Sequence, residues 1–220
     1  MKYLFINLKS YKEDFGKKTL RIAKNIKSVK KENKKVKIIL LPNILQLKET
    51  AKITEVYSQH GDPIKAERNT GYIPLELIKK SKAKGVMINH SEHRITLKEI
   101  KKTIEENKNL GLETLVCVKD DKEAEKIAKY KPNFIAVEPP KLIAGKKSIS
   151  EENPNLIKKT VEKVKKQDRK IKVLVGAGIH TIKDVKKALE LKADGILLAS
   201  QIALSKHTKK DIKKIIEAYK

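Results

Sequence analysis

Cysteine is nearly absent from this chain of 220 residues, where Cys117 stands alone. That excludes an intrachain disulfide and any CxxC metal knuckle, and it fits a reducing, cytoplasmic setting. Tryptophan is missing and aromatic residues make up only 4%, so the stacking platforms on which single-strand nucleic-acid modules depend are scarce. No apolar run approaches the roughly 20 residues of a membrane span. The opening run is broken at once by Asn7 and Lys9, too early for a signal peptide. His60, His93, His180 and His207 show no ligand spacing, so no metal is expected. No Gly-x-Gly-x-x-Gly follows the first apolar run, which counts against a dinucleotide fold. Without a linker or low-complexity tract, residues 1–220 are expected to form one domain.

Acidic residues are the scarcer charge: 27 Asp and Glu face 52 Lys and Arg, a net +25. Such a balance raises nucleic acid or an acidic membrane as partners. The lysines recur through the helical segments, as in Lys17, Lys18, Arg21, Lys24, Lys27, Lys30 and Lys31 with Leu20, Ile22, Ala23, Ile26 and Val29 between them. That spacing reads as a solvated outer face, so neither a membrane nor a nucleic-acid partner is expected.

Eight short runs rich in Ile, Val and Leu are present, at 3–8, 36–41, 53–58, 85–89, 114–119, 134–138, 172–176 and 195–199. They are continuously apolar, as parallel strands covered on both faces are. Between most of them lie amphipathic helical patterns, such as Leu156, Ile157, Val161 and Val164. Strand and helix alternating eight times predict a (β/α)8 barrel, with an open doubly wound sheet as the alternative. Residues 62–71 form the longest polar stretch without periodicity, a length that suits a functional or interfacial loop.

In a parallel barrel the working residues stand at the C-terminal strand ends. The first strand delivers Asn7 and Lys9, the fourth His90 and Glu92, and the sixth Glu138. The turns after the last two strands deliver Gly176-Ala177-Gly178 and Ala199-Ser200. Taken singly, each has a structural reading: a packing histidine, a strand end before Pro139-Pro140, a tight turn. Together they offer a cation, a neutral donor, a carboxylate base and backbone amides. Removing a carbon-bound proton beside a carbonyl needs a base on one side and a donor to the developing oxyanion on the other.

The chain resembles the triosephosphate isomerase family, in particular its short archaeal form. The matching blocks run in the family's order: Phe5-Ile6-Asn7-Leu8-Lys9-Ser10-Tyr11, Gln59-His60, Asn69-Thr70-Gly71-Tyr72, Ile88-Asn89-His90-Ser91-Glu92-His93-Arg94, Ala136-Val137-Glu138-Pro139-Pro140, Gly176-Ala177-Gly178-Ile179 and Gly195 to Ser200. The resemblance implies interconversion of dihydroxyacetone phosphate and glyceraldehyde 3-phosphate without a cofactor. It makes Glu138 the base, His90 the electrophile and Lys9 the cation that holds substrate beside Asn7, with Glu92 positioning that ammonium. A helix opening at residues 91–94 would supply amides to the His90 ring. Phosphate would lie on backbone amides of Gly178, Ala199 and Ser200, with Ile143 and Ala144 closing over it.

Two departures stand out. The family's lid reads Ile-Gly-Thr-Gly where this chain has Ile143-Ala144-Gly145-Lys146, and Gln201 replaces a usual glycine. The resemblance also implies a homo-oligomer, a tetramer ahead of a dimer, with the Asn69-Thr70-Gly71 loop reaching a neighbour. The rival readings are another phosphate-binding barrel isomerase, and a basic barrel that binds nucleic acid or acidic partners without isomerase activity.

Overall fold

Eight parallel strands close into a barrel in a computed structural model that describes residues 1–140, 148–179 and 181–219. The strands are β1 (Lys2–Asn7), β2 (Val36–Leu41), β3 (Tyr57–Ser58), β4 (Gly85–Ile88), β5 (Glu113–Val118), β6 (Phe134–Val137), β7 (Lys172–Val175) and β8 (Gly195–Leu198). Hydrogen-bonded neighbours run β2-β1-β8-β7-β6-β5-β4-β3. The ring is completed by one parallel bridge between Leu40 and Val56, where the Leu40 N–H donates to the Glu55 carbonyl at 3.1 Å.

Helices alternate with the strands: α1 (Lys17–Glu32), α2 (Leu47–Ala51), α3 (Leu75–Lys80), α4 (Leu97–Leu110), α5 (Asp121–Ala128), α6 (Ile149–Glu152), α7 (Pro154–Gln167), α8 (Ile182–Glu190), α9 (Ser200–Ala203) and α10 (Thr208–Glu217). This is the (β/α)8 barrel that the alternation predicts. Several helix starts are written in the sequence. Thr96 with Glu99, and Thr181 with Asp184, form reciprocal capping boxes, and Asn153 caps α7 ahead of Pro154. Each satisfies amides that a helix start leaves without partners.

Side-chain alternation along the strands splits the apolar residues into two layers. Leu4, Ile6, Ile38, Leu40, Val86, Ile88, Ile135 and Val137 face the helices, packed against Ile22, Ile26, Ile104, Ile127 and Ile157 among others. Phe5, Ile39, Leu41, Tyr57, Met87, Leu115, Phe134, Leu174 and Leu197 fill the barrel itself. The few aromatics concentrate there: Phe5 meets Tyr57 and Phe134 edge-to-face, with ring centroids 5.2 and 5.0 Å apart. Burying on both strand faces explains why the runs read as continuous rather than alternating.

Seven strands start and end within one residue of the expected positions, and β3 does not. Its apolar run was expected to pair from residue 53, but Ile53 and Thr54 direct their N–H groups to the Thr50 carbonyl at 2.9 and 3.1 Å. They belong to the turn that ends α2, and Ile53 packs in the helix layer. Among the described residues no helix is long and apolar enough to cross a membrane.

Candidate active site

Strand periodicity carries the barrel interior into the mouth. Phe5, Ala136, Leu174 and Leu197 point inward, and two residues further on each strand stand Asn7, Glu138, Gly176 and Ala199. Glu138 is thereby a carboxylate at the end of an apolar shaft, only 7% exposed. Its Oε2 is buried without a hydrogen-bond partner among the described residues, 3.7 Å from His90 Nε2. Beneath it lies Cys117, whose thiol is pushed well above its ordinary pKa, first by complete burial and then by the Glu138 carboxylate. Cys117 is an inert packing group here.

His90 reaches the same point from β4 by way of a left-handed turn at Asn89, φ 62°. Asn89 supports that turn by donating to the Cys117 carbonyl at 2.9 Å and accepting from the Ile95 N–H at 3.3 Å. The His90 ring is 6% exposed, and its Nδ1 accepts the Glu92 N–H at 3.2 Å. A ring that accepts at Nδ1 carries its proton on Nε2 when neutral, so Nε2 is the donor turned toward Glu138.

Lys9 follows β1 with a positive φ of 51°, a strained conformation that surrounding contacts must hold. The Lys9 N–H donates to Asn7 Oδ1 at 2.9 Å, and its ammonium pairs with Glu92 at 2.5 Å. Gln59, after β3, ties the arrangement together. Its amide lies 3.1 Å from Asn7 Oδ1, 3.0 Å from the Lys9 carbonyl and 3.1 Å from the Leu41 carbonyl.

The opposite wall is made of small residues. A side chain on Gly176 would collide with the Glu138 Cγ and Cδ at 2.6 Å. Gly178 sits at φ 65°, and Ala199 precedes the short helix α9 that opens at Ser200. Asn7, Lys9, His90, Glu138, Gly178, Ala199 and Ser200 line one cavity at the C-terminal barrel end, together with Tyr11 and Gln201. Among the described residues no group of three His, Cys, Asp or Glu could hold a metal ion.

The family model for triosephosphate isomerase matches residues 2–219. The chain belongs to the triosephosphate isomerase family. It is 41% identical over 217 residues to the triosephosphate isomerase of Methanocaldococcus jannaschii, covering 97% of this chain and 98% of that one. Its identity to the Methanothermus fervidus triosephosphate isomerase is 38% over 215 residues, covering 97% and 96% of the two chains. To that of Caldivirga maquilingensis it is 40% over 205 residues, covering 92% and 91%.

Within this triosephosphate isomerase framework the structure brings the expected residues around one space, with Glu92 on the rim as the partner of Lys9. Ile143, Ala144, the lid departure at Ala144-Gly145-Lys146, and His180 lie outside the described residues. The helix expected at residues 91–94 is not formed, because the Thr96–Glu99 capping box sets the start of α4 at Leu97. A turn carries residues 91–93 instead, and the Glu92 amide still reaches the imidazole. Arg94, at the end of the same motif, pairs with Glu123 and donates to the Asn89 carbonyl at 3.3 Å, so it braces the turn. His60 and His93 stack with centroids 4.1 Å apart and flank the site. Sequence reasoning gave no role to Gln59 and saw Gly176 only as part of a turn. The signal for Gly176 was present: two residues past an inward leucine, it must face Glu138.

Proposed function

We propose that this chain interconverts dihydroxyacetone phosphate and D-glyceraldehyde 3-phosphate by proton transfer through an enediolate, using Glu138 as the base. The observation that carries the assignment is the unpartnered, buried Glu138 oxygen 3.7 Å from the donor nitrogen of His90. A buried carboxylate oxygen that no described donor occupies is a ready acceptor for a substrate proton, and an Nε2–H at that distance leaves room for the reacting carbons between them.

In this reading the Lys9 ammonium and Asn7 hold the substrate with its carbonyl oxygen against His90 Nε2. Glu138 removes the proton from C1, and the electron pair moves into the C1–C2 bond as charge develops on O2. His90 passes its Nε2 proton to O2 and takes the hydroxyl proton from O1. Glu138 then returns its proton to C2, so neither atoms nor charge are gained. Lys9 stabilises the enediolate throughout, with Glu92 positioning the ammonium. The phosphate dianion rests on amides of Gly178, Ala199 and Ser200, where small side chains permit close approach. Ile143 and Ala144 complete its enclosure. No cofactor enters the scheme, and residues 1–220 act as one domain.

The protein works in the cytoplasm, in glycolysis and gluconeogenesis, as a homotetramer of the archaeal kind. The exposed Asn69-Thr70-Gly71 loop supports contact with a neighbour, and light scattering on the purified protein distinguishes tetramer, dimer and monomer. The catalytic assignment is tested by a coupled assay from glyceraldehyde 3-phosphate, comparing the parent with Glu138→Gln. Activity in the parent that falls by three orders of magnitude or so in the variant supports the base assignment. A folded parent without activity overturns the function.

A further inference from the structure

The charge of this barrel is unequal between its two ends. The connections that lead from each helix into the next strand, at the end away from the candidate active site, carry Lys34, Lys35, Lys52, Lys82, Lys84, Lys129, Lys131, Arg169, Lys170 and Lys192. All ten are exposed, and none makes an ion pair among the described residues. The same connections hold only three acids, Glu55, Asp168 and Asp194. Each is already engaged: Glu55 by Lys30 and Lys37 at 2.7 and 3.2 Å, Asp168 by the Lys170 N–H at 2.8 Å, and Asp194 by Lys165 and the Val173 N–H at 2.7 and 2.9 Å. At the mouth, the described residues of the connections that lead from each strand into the next helix, with residues 204–207 between α9 and α10, are balanced, seven basic against seven acidic.

Backbone conformation adds an independent sign. Lys82, Lys131 and Lys192 stand at φ 69°, 56° and 70° just after α3, α5 and α8. Glycine is favoured at such left-handed helix ends, and α4 has Gly111 there at φ 66°. At three of the four turns the chain carries a cation where the backbone prefers no side chain. Beside them a hollow of about 270 Å³ opens between Lys131, Asn133, Lys170 and Lys172, over Tyr3 and Phe134, and its one acid, Glu113, is engaged by the Tyr57 hydroxyl and Lys37.

We propose that the N-terminal end of the barrel binds double-helical nucleic acid through its phosphate backbone, without reading sequence. A ring of unpaired cations matches the regular negative charge of a duplex. Among the described residues the face has no exposed aromatic ring to stack unpaired bases, which disfavours a single strand. Among the described residues only Met1 is a large exposed apolar residue at this end, too little to anchor in a lipid interface. The surface lies opposite the catalytic cavity, so both activities coexist, and the inference does not depend on the assigned reaction.

The test is fluorescence anisotropy of the full chain with labelled 30-base-pair duplexes of unrelated sequence, as DNA and as RNA, across a salt series. Binding through about five phosphates gives a log–log salt slope near −4.5, about a hundredfold loss between 0.1 and 0.3 M salt. The variant with Lys84, Lys131, Lys170 and Lys192 changed to Glu binds at least about tenfold more weakly. A variant with Lys24, Lys102, Lys126 and Lys186 on helix outer faces changed to Glu, matched in net charge, stays within about threefold. The milder pair Lys131→Gln with Lys170→Gln flattens the slope by roughly two, which reads the same contacts if the charge reversal unfolds the chain. Melting temperature and isomerase rate in each variant report folding. Equal weakening by the two fourfold variants, no duplex binding at 0.15 M salt, or capture by phosphatidylserine vesicles with none by duplexes would each overturn the proposal. The DNA and RNA arms decide which duplex is preferred.

Discussion

Changing Gly176 to Ala places one methyl group against the base and tests the geometry of the site without touching its chemistry. The new Cβ would lie 2.6 Å from the Glu138 Cγ and Cδ, while ordinary contact begins at 3.4 Å. The Glu138 side chain must therefore shift by about 0.8 Å, since β7 is held in register by β6 and β8. Misplacing a reacting group by about 1 Å costs on the order of a hundredfold in rate, or about 2.7 kcal/mol in the barrier. Gly176 has no positive φ, so alanine meets no backbone strain and the loss is one of placement. The coupled assay should show kcat falling by about two orders of magnitude with KM changed little. Gly16→Ala supplies the converse control, because it has φ 76° and nothing within 4 Å of a Cβ. It should lower stability by about 1 kcal/mol and leave kcat unchanged. A Gly176→Ala enzyme within about threefold of the parent in kcat would refute the placement of Glu138 and its role.

Three further outcomes follow. His90→Ala removes the donor at the developing oxyanion and should lower kcat by about 10²- to 10³-fold with the fold intact, checked by kinetics beside a melting curve. Gln59→Leu deletes the amide shared by Asn7, Lys9 and Leu41, so KM should rise several-fold, with a smaller change in kcat, as Lys9 loses its fixed position. For Cys117 the sign is set by a thiol pKa raised on folding. Stability is unaffected below the ordinary thiol value of about 8.5 and declines as pH rises past it, because unfolding then releases a proton. A thiol reagent at pH 8 should label Cys117 only on unfolding, and rapid labelling of the native enzyme would contradict its burial.

The strand order of residues along the chain was legible because parallel strands buried on both faces leave unbroken apolar runs, and seven of eight could be bounded to within a residue. The third could not, since Ile53 is equally apolar whether it faces the barrel or the helix layer. The positions of Asn7, Lys9, His90 and Glu138 were readable from the strand-end rule, and their roles came from family resemblance. What periodicity alone does not disclose is anything set by contacts between distant segments. Gln59 meets Asn7 and Leu41 only once the ring has closed, and the Asn89 turn that aims His90 depends on the Cys117 carbonyl of the next strand. The charge was similarly opaque: lysine spacing in helices showed an outer coat, whereas the imbalance between barrel ends appears only when every connection is assigned to an end.

The most direct test of the central claim follows solvent deuterium during isomerisation of dihydroxyacetone phosphate in D₂O by NMR. If Glu138 is a base that exchanges its proton with solvent, the parent enzyme will place deuterium on the reacting carbons, and Glu138→Gln will suppress exchange and isomerisation together. Isomerisation that reaches equilibrium without deuterium in either triose phosphate, or exchange undiminished in the variant, would contradict the account.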